Sequence, residues 1–176
     1  MRHRRNIRGF TLVEMIVVMA VFGVIAAIAA PSFRDFVLRR AVSAQISDLS
    51  AALRLARSEA IKRGGPVTLC PTSNAHTPSP TCDAGSQWGN GYMVLIDNGT
   101  AASQYLRVQQ RYGNQSHITA AAAGRIVFMG NGILNPASPR QFAFGPGDTG
   151  ADASRSELVR TVCISSTGTV SNGVCR

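Results

Sequence analysis

The sequence predicts an α+β protein: one long N-terminal helix, membrane-spanning in its first half and amphipathic in its second, packed on a small antiparallel β-sheet head. Three observations predict it. A nearly unbroken apolar run, Phe10 to Ala30, follows an Arg-rich start. Beyond it, apolar positions recur at helical spacing as far as Arg63. After Arg63, short β-prone runs alternate with clusters of Gly, Pro, Ser and Asn. The length of 176 residues suits one domain on a stalk. An apolar fraction of 45% excludes a disordered tail, and the chain is too short for a polytopic transporter. Of 18 basic residues only Lys62 is a lysine, so the net charge of +9 is carried almost wholly by Arg.

Residues 1–9 read MRHRRNIRG, with Arg at positions 2, 4, 5 and 8. The run Phe10–Ala30 is roughly 30 Å long as a helix, enough to cross a bilayer core. The Arg cluster holds the N-terminus in the cytoplasm and places the rest outside it. A secretory signal peptide is the plain alternative, with Ala27-Ile28-Ala29 as its cleavage triplet. Two features oppose it. Glu14 sits five residues into the run, where a carboxylate costs on the order of 3 kcal/mol at mid-helix and less near the interface. The helical pattern also continues past Ala30.

The segment Arg8-Gly9-Phe10-Thr11-Leu12-Val13-Glu14 resembles the class III signal of type IV prepilins and type II secretion pseudopilins. The resemblance implies cleavage between Gly9 and Phe10 by a prepilin peptidase, N-methylation of Phe10 and retention of the apolar segment. Residues 1–9 are then a discarded leader, and 10–30 a transmembrane and assembly helix. Losing the four leader Arg reduces the basic residues to 14, against nine acidic. The physics of Glu14 agrees. A buried charge pairs or neutralises, and the amine freed on Phe10 of one subunit is a partner for Glu14 of its neighbour. The plain alternative is a Glu that snorkels to the interface.

Pro31 opens the second half, residues 31–65, and is expected to kink the helix there. Val42, Ile46, Leu49, Leu53, Ala56 and Ala60 fall on one face in steps of four and three. Arg39, Arg40, Ser43, Ser47, Ser50, Arg54, Arg57 and Lys62 are expected largely off that face. Arg63-Gly64-Gly65-Pro66 stops the helix: a basic last turn, Gly, then Pro. The apolar face needs a partner, most simply a sheet formed by residues 66–176.

Leu55-Ala56-Arg57-Ser58-Glu59-Ala60-Ile61-Lys62-Arg63-Gly64 resembles the helix-end signature of the GspH/FimT family of minor pilins and pseudopilins. Gln87-Trp88-Gly89-Asn90-Gly91-Tyr92-Met93-Val94-Leu95-Ile96-Asp97 is similar to that family's Trp-containing strand. These segments imply the type IV pilin fold.

In the β-rich periplasmic or extracellular head, strands are expected at Val67–Cys70, Tyr92–Ile96, Tyr105–Gln109, Ile126–Met129, Gln141–Phe144 and Val159–Ser165. A short last strand passes through Thr169 and Val170. Asn98-Gly99 and Gly168 mark turns. Residues 72–87 read as a loop, and 136–155 likewise apart from a strand-like centre. Gly89-Asn90-Gly91 reads as a turn. Cysteines stand at 70, 82, 163 and 175. An even count outside the cytoplasm reads as disulfides, and of three connectivities the near pairs Cys70–Cys82 and Cys163–Cys175 are expected. Zinc is the alternative, opposed by the lack of C-x-x-C and by only His76 and His117 surviving processing; no metal or other cofactor is expected.

No nucleophile–base pair, H-E-x-x-H or phosphate loop is present, and His76 and His117 read as surface loop residues, so no enzyme is expected. The family resemblance also implies a DNA-binding minority, associated with a G-R-x-R element near the C-terminus. Here that stretch reads Gly168-Thr169-Val170-Ser171 and lacks both Arg. Arg155, Arg160 and Arg176 remain as phosphate contacts, with ordinary solvated Arg as the plain alternative.

The resemblance implies a minor pilin that primes and assembles a type IV pilus and adds surface properties such as adhesion, motility or DNA uptake. The alternative it leaves open is a minor pseudopilin of type II secretion. The implied partners are other major and minor pilins or pseudopilins, prepilin peptidase and the inner-membrane assembly platform. The implied location is a single-pass inner-membrane protein that then joins a filament.

Overall fold

The computed structural model describes residues 10–96, 104–113, 116–120, 124–146 and 157–175. The chain divides into two compact units, Met1–Val37 and Leu38–Arg176. One helix, α1, runs Leu12–Arg63. Pro31 falls inside it.

Within the first unit the stretch Leu12–Ala29 of α1 is apolar and exposed. The span Leu12–Ala29 has a mean hydropathy of 2.7, and none of it is buried inside the protein. Thr11 caps the helix. Its carbonyl accepts from Met15 N–H at 3.3 Å. Its Oγ1 accepts from Glu14 N–H, also at 3.3 Å. With Glu14 three residues on, Thr11 forms one half of a capping box.

The second unit holds the core. From Leu38 onward α1 buries Leu38, Val42, Leu49, Ala52, Leu53, Ala56 and Ala60 on one stripe, with Ile46 at its edge. That stripe is the face its spacing predicts. Two residues expected off it differ. Ser50 is buried, and Arg57 is half-buried, turned toward the head by a hydrogen bond from Nη1 to Gly168 O at 3.2 Å. The helix stops in a Schellman motif: Gly64 has φ +64°, Gly64 N–H donates to Ile61 O at 3.3 Å, and Gly65 N–H donates to Ala60 O at 3.2 Å.

The head carries nine strands among the described residues: β1 Val67–Pro71, β2 Gly91–Ile96, β3 Gln104–Gln110, β4 Ser116–Ala120, β5 Ile126–Phe128, β6 Leu134–Asn135, β7 Arg140–Pro146, β8 Arg160–Ile164 and β9 Val170–Asn172. They form two antiparallel sheets where one is expected from sequence, in the orders β3-β2-β1-β5-β6 and β4-β7-β8-β9. β1 and β2 are buried along their whole length because both faces are covered. Val67, Leu69, Tyr92, Val94 and Ile96 join the core shared with α1. Cys70, Met93 and Leu95 alternate to the other face and pack with Cys82. The segment between β1 and β2 thus roofs the outer face of the sheet. Asn74 ties it down, its Oδ1 accepting from Thr81 N–H at 2.9 Å and from the Thr72 hydroxyl at 2.7 Å.

Two strands carry little sequence signal, β4 and the two-residue β6. His117, expected on a loop, lies in β4 over Gly145; a side chain at Gly145 would come within 2.9 Å of its imidazole. Trp88 falls in a short 3-10 turn, Trp88–Asn90, ahead of β2 rather than in a strand. Gly91, with φ +136°, makes the change of direction; a Cβ there would stand 2.7 Å from Gln109 O. Trp88 is fully buried, edge-on to Phe142 with ring centroids 5.0 Å apart. The expected turn at Asn98-Gly99 lies outside the described residues. That at Gly168 forms, with φ +78° and Gly168 N–H donating to Ser165 O at 2.8 Å.

Candidate functional site

Three features stand out, one on the first unit and two on the second. The first is the bare apolar helix. Leu12, Met19 and Phe22 are 75%, 73% and 67% exposed, and apolar neighbours continue around every side. A run apolar all round is a buried or membrane helix. Burying each such side chain gains about 1.5–3 kcal/mol. Over this length the sum exceeds several-fold the roughly 3 kcal/mol that one carboxylate costs at mid-helix. Burial therefore wins in spite of Glu14, and the carboxylate is left to choose its partner. It lies in the first helical turn, exposed, where the helix dipole also favours a negative charge. Phe10 is exposed two residues ahead of the helix. Gly9 lies outside the described residues.

The second feature fastens α1 to the head. The Tyr112 hydroxyl donates to Asp48 Oδ2 at 3.3 Å and meets the Tyr92 hydroxyl at 3.2 Å. Arg107 Nη2 reaches Asp48 Oδ1 at 3.6 Å. Burial pushes the Tyr92 phenol up to about 12. The Tyr112 phenol is raised as well, first by burial and then by its hydrogen bond to Tyr92. Two disulfides, Cys70–Cys82 and Cys163–Cys175, with Cα atoms 5.5 and 5.1 Å apart, brace the two sheets, and no cysteine is free.

The third feature is a cavity of about 330 Å³ between the C-terminal half of α1 and the second sheet, lined by Arg39, Val42, Ile46, Leu158, Arg160 and Asn172 among others. Arg160, named from sequence, lines it and donates from Nη1 to Glu157 O at 3.3 Å. Arg155 and Arg176 lie outside the described residues. Sequence reasoning missed that Arg39 and Arg160 line one cavity, and missed the Thr11 cap and the Tyr112–Asp48 bond. Only the cap had a local signal, Thr-x-x-Glu before an apolar run. Among the described residues no cluster of His, Cys, Asp and Glu suits a metal.

A long helix, bare and apolar at one end and packed on antiparallel sheets at the other, defines the class of pilin-like subunits. Comparison with known proteins narrows it. A model of the prokaryotic N-terminal methylation motif matches residues 4–30. The model described as type II transport protein GspH matches residues 45–168, well over half of the chain. The chain belongs to the GspH family. A fimbrial protein of Pseudomonas aeruginosa is 38% identical over 65 residues, covering 37% of this chain and 42% of that protein. The type IV major fimbrial protein FimA of Dichelobacter nodosus is 28% identical over 108 residues, covering 60% of this chain and 62% of FimA. The chain thus spans less than two thirds of the length of these relatives. Among solved structures, the type IV minor pilin FimU of Pseudomonas aeruginosa superposes with a TM-score of 0.59 at 22% identity, over 79% of this chain and 92% of that one. The minor pseudopilin EpsH of Vibrio cholerae gives 0.53 at 12% identity, over 78% and 99%. The fold is that of type IV minor pilins and minor pseudopilins.

Proposed function

We propose that the chain is a minor pilin of a type IV pilus, a structural subunit that acts by assembly and catalyses no reaction. The observation that carries this is the bare apolar helix with one carboxylate in its first turn. In the inner membrane the lipid covers it; in a filament, the same helices of neighbouring subunits do. Prepilin peptidase cuts between Gly9 and Phe10 and the new Phe10 amine is methylated. That amine lies against Glu14 of an adjoining subunit and fixes register between them. The assembly platform and the other pilins are the remaining partners. The head then faces outward or caps the tip, where it helps prime assembly and supplies surface properties.

The matches to fimbrial proteins and the likeness to FimU support the pilus reading. The family description and the likeness to EpsH support the second reading, a minor pseudopilin of type II secretion. Shearing separates the two. Pili sheared from cells carry the protein if it is a pilin. Its absence from them, together with loss of exoprotein release on deletion, assigns it to secretion. DNA binding through Arg160 is a lesser reading, supported by its place on a basic cavity.

A further inference from the structure

β9 is an edge strand: β8 lies on one side of it, and no strand pairs with the other among the described residues. Its register pairs Ile164 with Val170, Cys163 with Ser171 and Val162 with Asn172. The ladder bonds Ser165 N–H to Thr169 O and Gly173 N–H to Thr161 O, each 2.9 Å, fix which residues face β8. In an antiparallel ladder these alternate. Thr169, Ser171 and Gly173 therefore face β8, and the main-chain N–H and C=O of Val170 and Asn172 face the free side. Residues of β9 also line two cavities along α1. Asn172 lines the first, with Arg39 and Arg160 over a floor of Val42, Ile46 and Leu158. Val170 and Thr169 line the second, of about 380 Å³, with Arg54 and Arg57. None of these four Arg makes an ion pair with a carboxylate among the described residues, where the pairs seen join Glu59 to Lys62 and Arg63, and Asp48 to Arg107. Arg57 Nε is buried without a hydrogen-bond partner there.

We propose that the cleft between α1 and β9 receives an extended acidic polypeptide segment, which pairs its main chain with the free edge of β9 and sets its carboxylates against Arg39 and Arg160. Each part of the cleft answers one part of such a segment. The unpaired edge at Val170 and Asn172 takes a strand. The Arg take carboxylates in charge-assisted hydrogen bonds. The floor of Val42, Ile46 and Leu158 takes an aliphatic side chain on the alternate face. A nucleic acid would use the Arg but has no need of the strand edge, so the edge decides for a peptide. The proposal stands whether or not the chain enters a filament.

The test uses the full-length chain in detergent micelles and a fluorescein-labelled peptide of about eight residues, alternating Val and Glu. Fluorescence anisotropy is expected to show saturable binding. Affinity falls about tenfold or more for the Val and Gln counterpart, and likewise for the Arg39→Gln, Arg160→Gln double variant. Both side chains are exposed, so the variant keeps its fold, as circular dichroism checks. A Val and Glu peptide N-methylated at alternate residues retains its charge and loses strand pairing; it is expected to bind about tenfold more weakly. Absence of binding at low salt, or unchanged binding by the double variant, overturns the proposal. So does equal binding of the N-methylated peptide or of oligothymidylate, either of which makes the cleft a general anion surface.

Discussion

The Tyr112 hydroxyl donates to Asp48 Oδ2 at 3.3 Å, bridging 64 residues of sequence between the segment after β3 and the C-terminal half of α1. The bond fastens α1 to the head within a polar cluster that also holds Arg107 and the Tyr92 hydroxyl. Tyr112→Phe removes it and leaves the ring. The expected cost is about 1 kcal/mol, the net value of an intramolecular hydrogen bond, read as a lower denaturation midpoint in detergent. Arg107→Ala is expected to cost less, since its 3.6 Å pair with Asp48 is partly exposed and screened.

The two phenols give the head an alkaline limit. The folded Tyr92 phenol titrates near 12 against an ordinary 10.0, and Tyr112 is also raised. A group with a raised folded value contributes stability that is complete below its unfolded pKa and is lost as pH rises through the folded one. Thermal stability is therefore expected to be insensitive to these groups up to pH 10 and to fall toward 12. The Tyr92→Phe, Tyr112→Phe double variant should show a shallower alkaline fall, with phenolate absorbance followed in parallel.

Cys163–Cys175 ties β8 to the chain just past β9, across a separation of 12 residues. β9 is only three residues long and needs the staple. Replacing both cysteines with Ser is expected to cost about 3 kcal/mol. Limited proteolysis should then cut first near residues 170–175, with the first sheet still protected.

Gly64 has φ +64° and nothing within 4 Å of an added Cβ. Gly64→Ala is thus expected to cost about 1 kcal/mol of backbone strain and no more. Gly91→Ala combines φ +136° with a 2.7 Å approach to Gln109 O, so it should destabilise more. Chemical denaturation of the two variants side by side checks the order.

Glu14→Val keeps the apolar helix and removes its one carboxylate. Processing at Gly9 is expected to remain intact while incorporation into filaments falls. Immunoblots of sheared and cell-bound fractions measure both. Normal incorporation would make the charge pair dispensable.

Much of this was legible because it is local. The buried stripe of α1 repeats every three or four residues, and its Gly64 stop is written in four consecutive letters. β1, β2, β3, β5, β7 and β8 lie where β-prone runs predict, to within a residue or two. β4 was hidden because Ser116, His117, Thr119 and Ala120 surround a single large apolar residue, Ile118; only its pairing with β7 makes it a strand. The split into two sheets and the burial of Ser50 are tertiary and leave no periodic trace. Of the site, Phe10 and Glu14 stand in a contiguous motif. Arg39, Arg160 and Asn172 meet only because β8 and β9 pack beside α1, so no spacing along the chain announces their cavity.

The central claim is that the apolar helix is kept and serves as the stalk of a subunit. Mass spectrometry of the N-terminus of the protein recovered from its native cells tests it most directly. The account requires a mature chain that begins at Phe10 and carries a methylated amine. A chain beginning near Ala30 or Pro31 contradicts it, because the stalk would then have been discarded as a signal peptide.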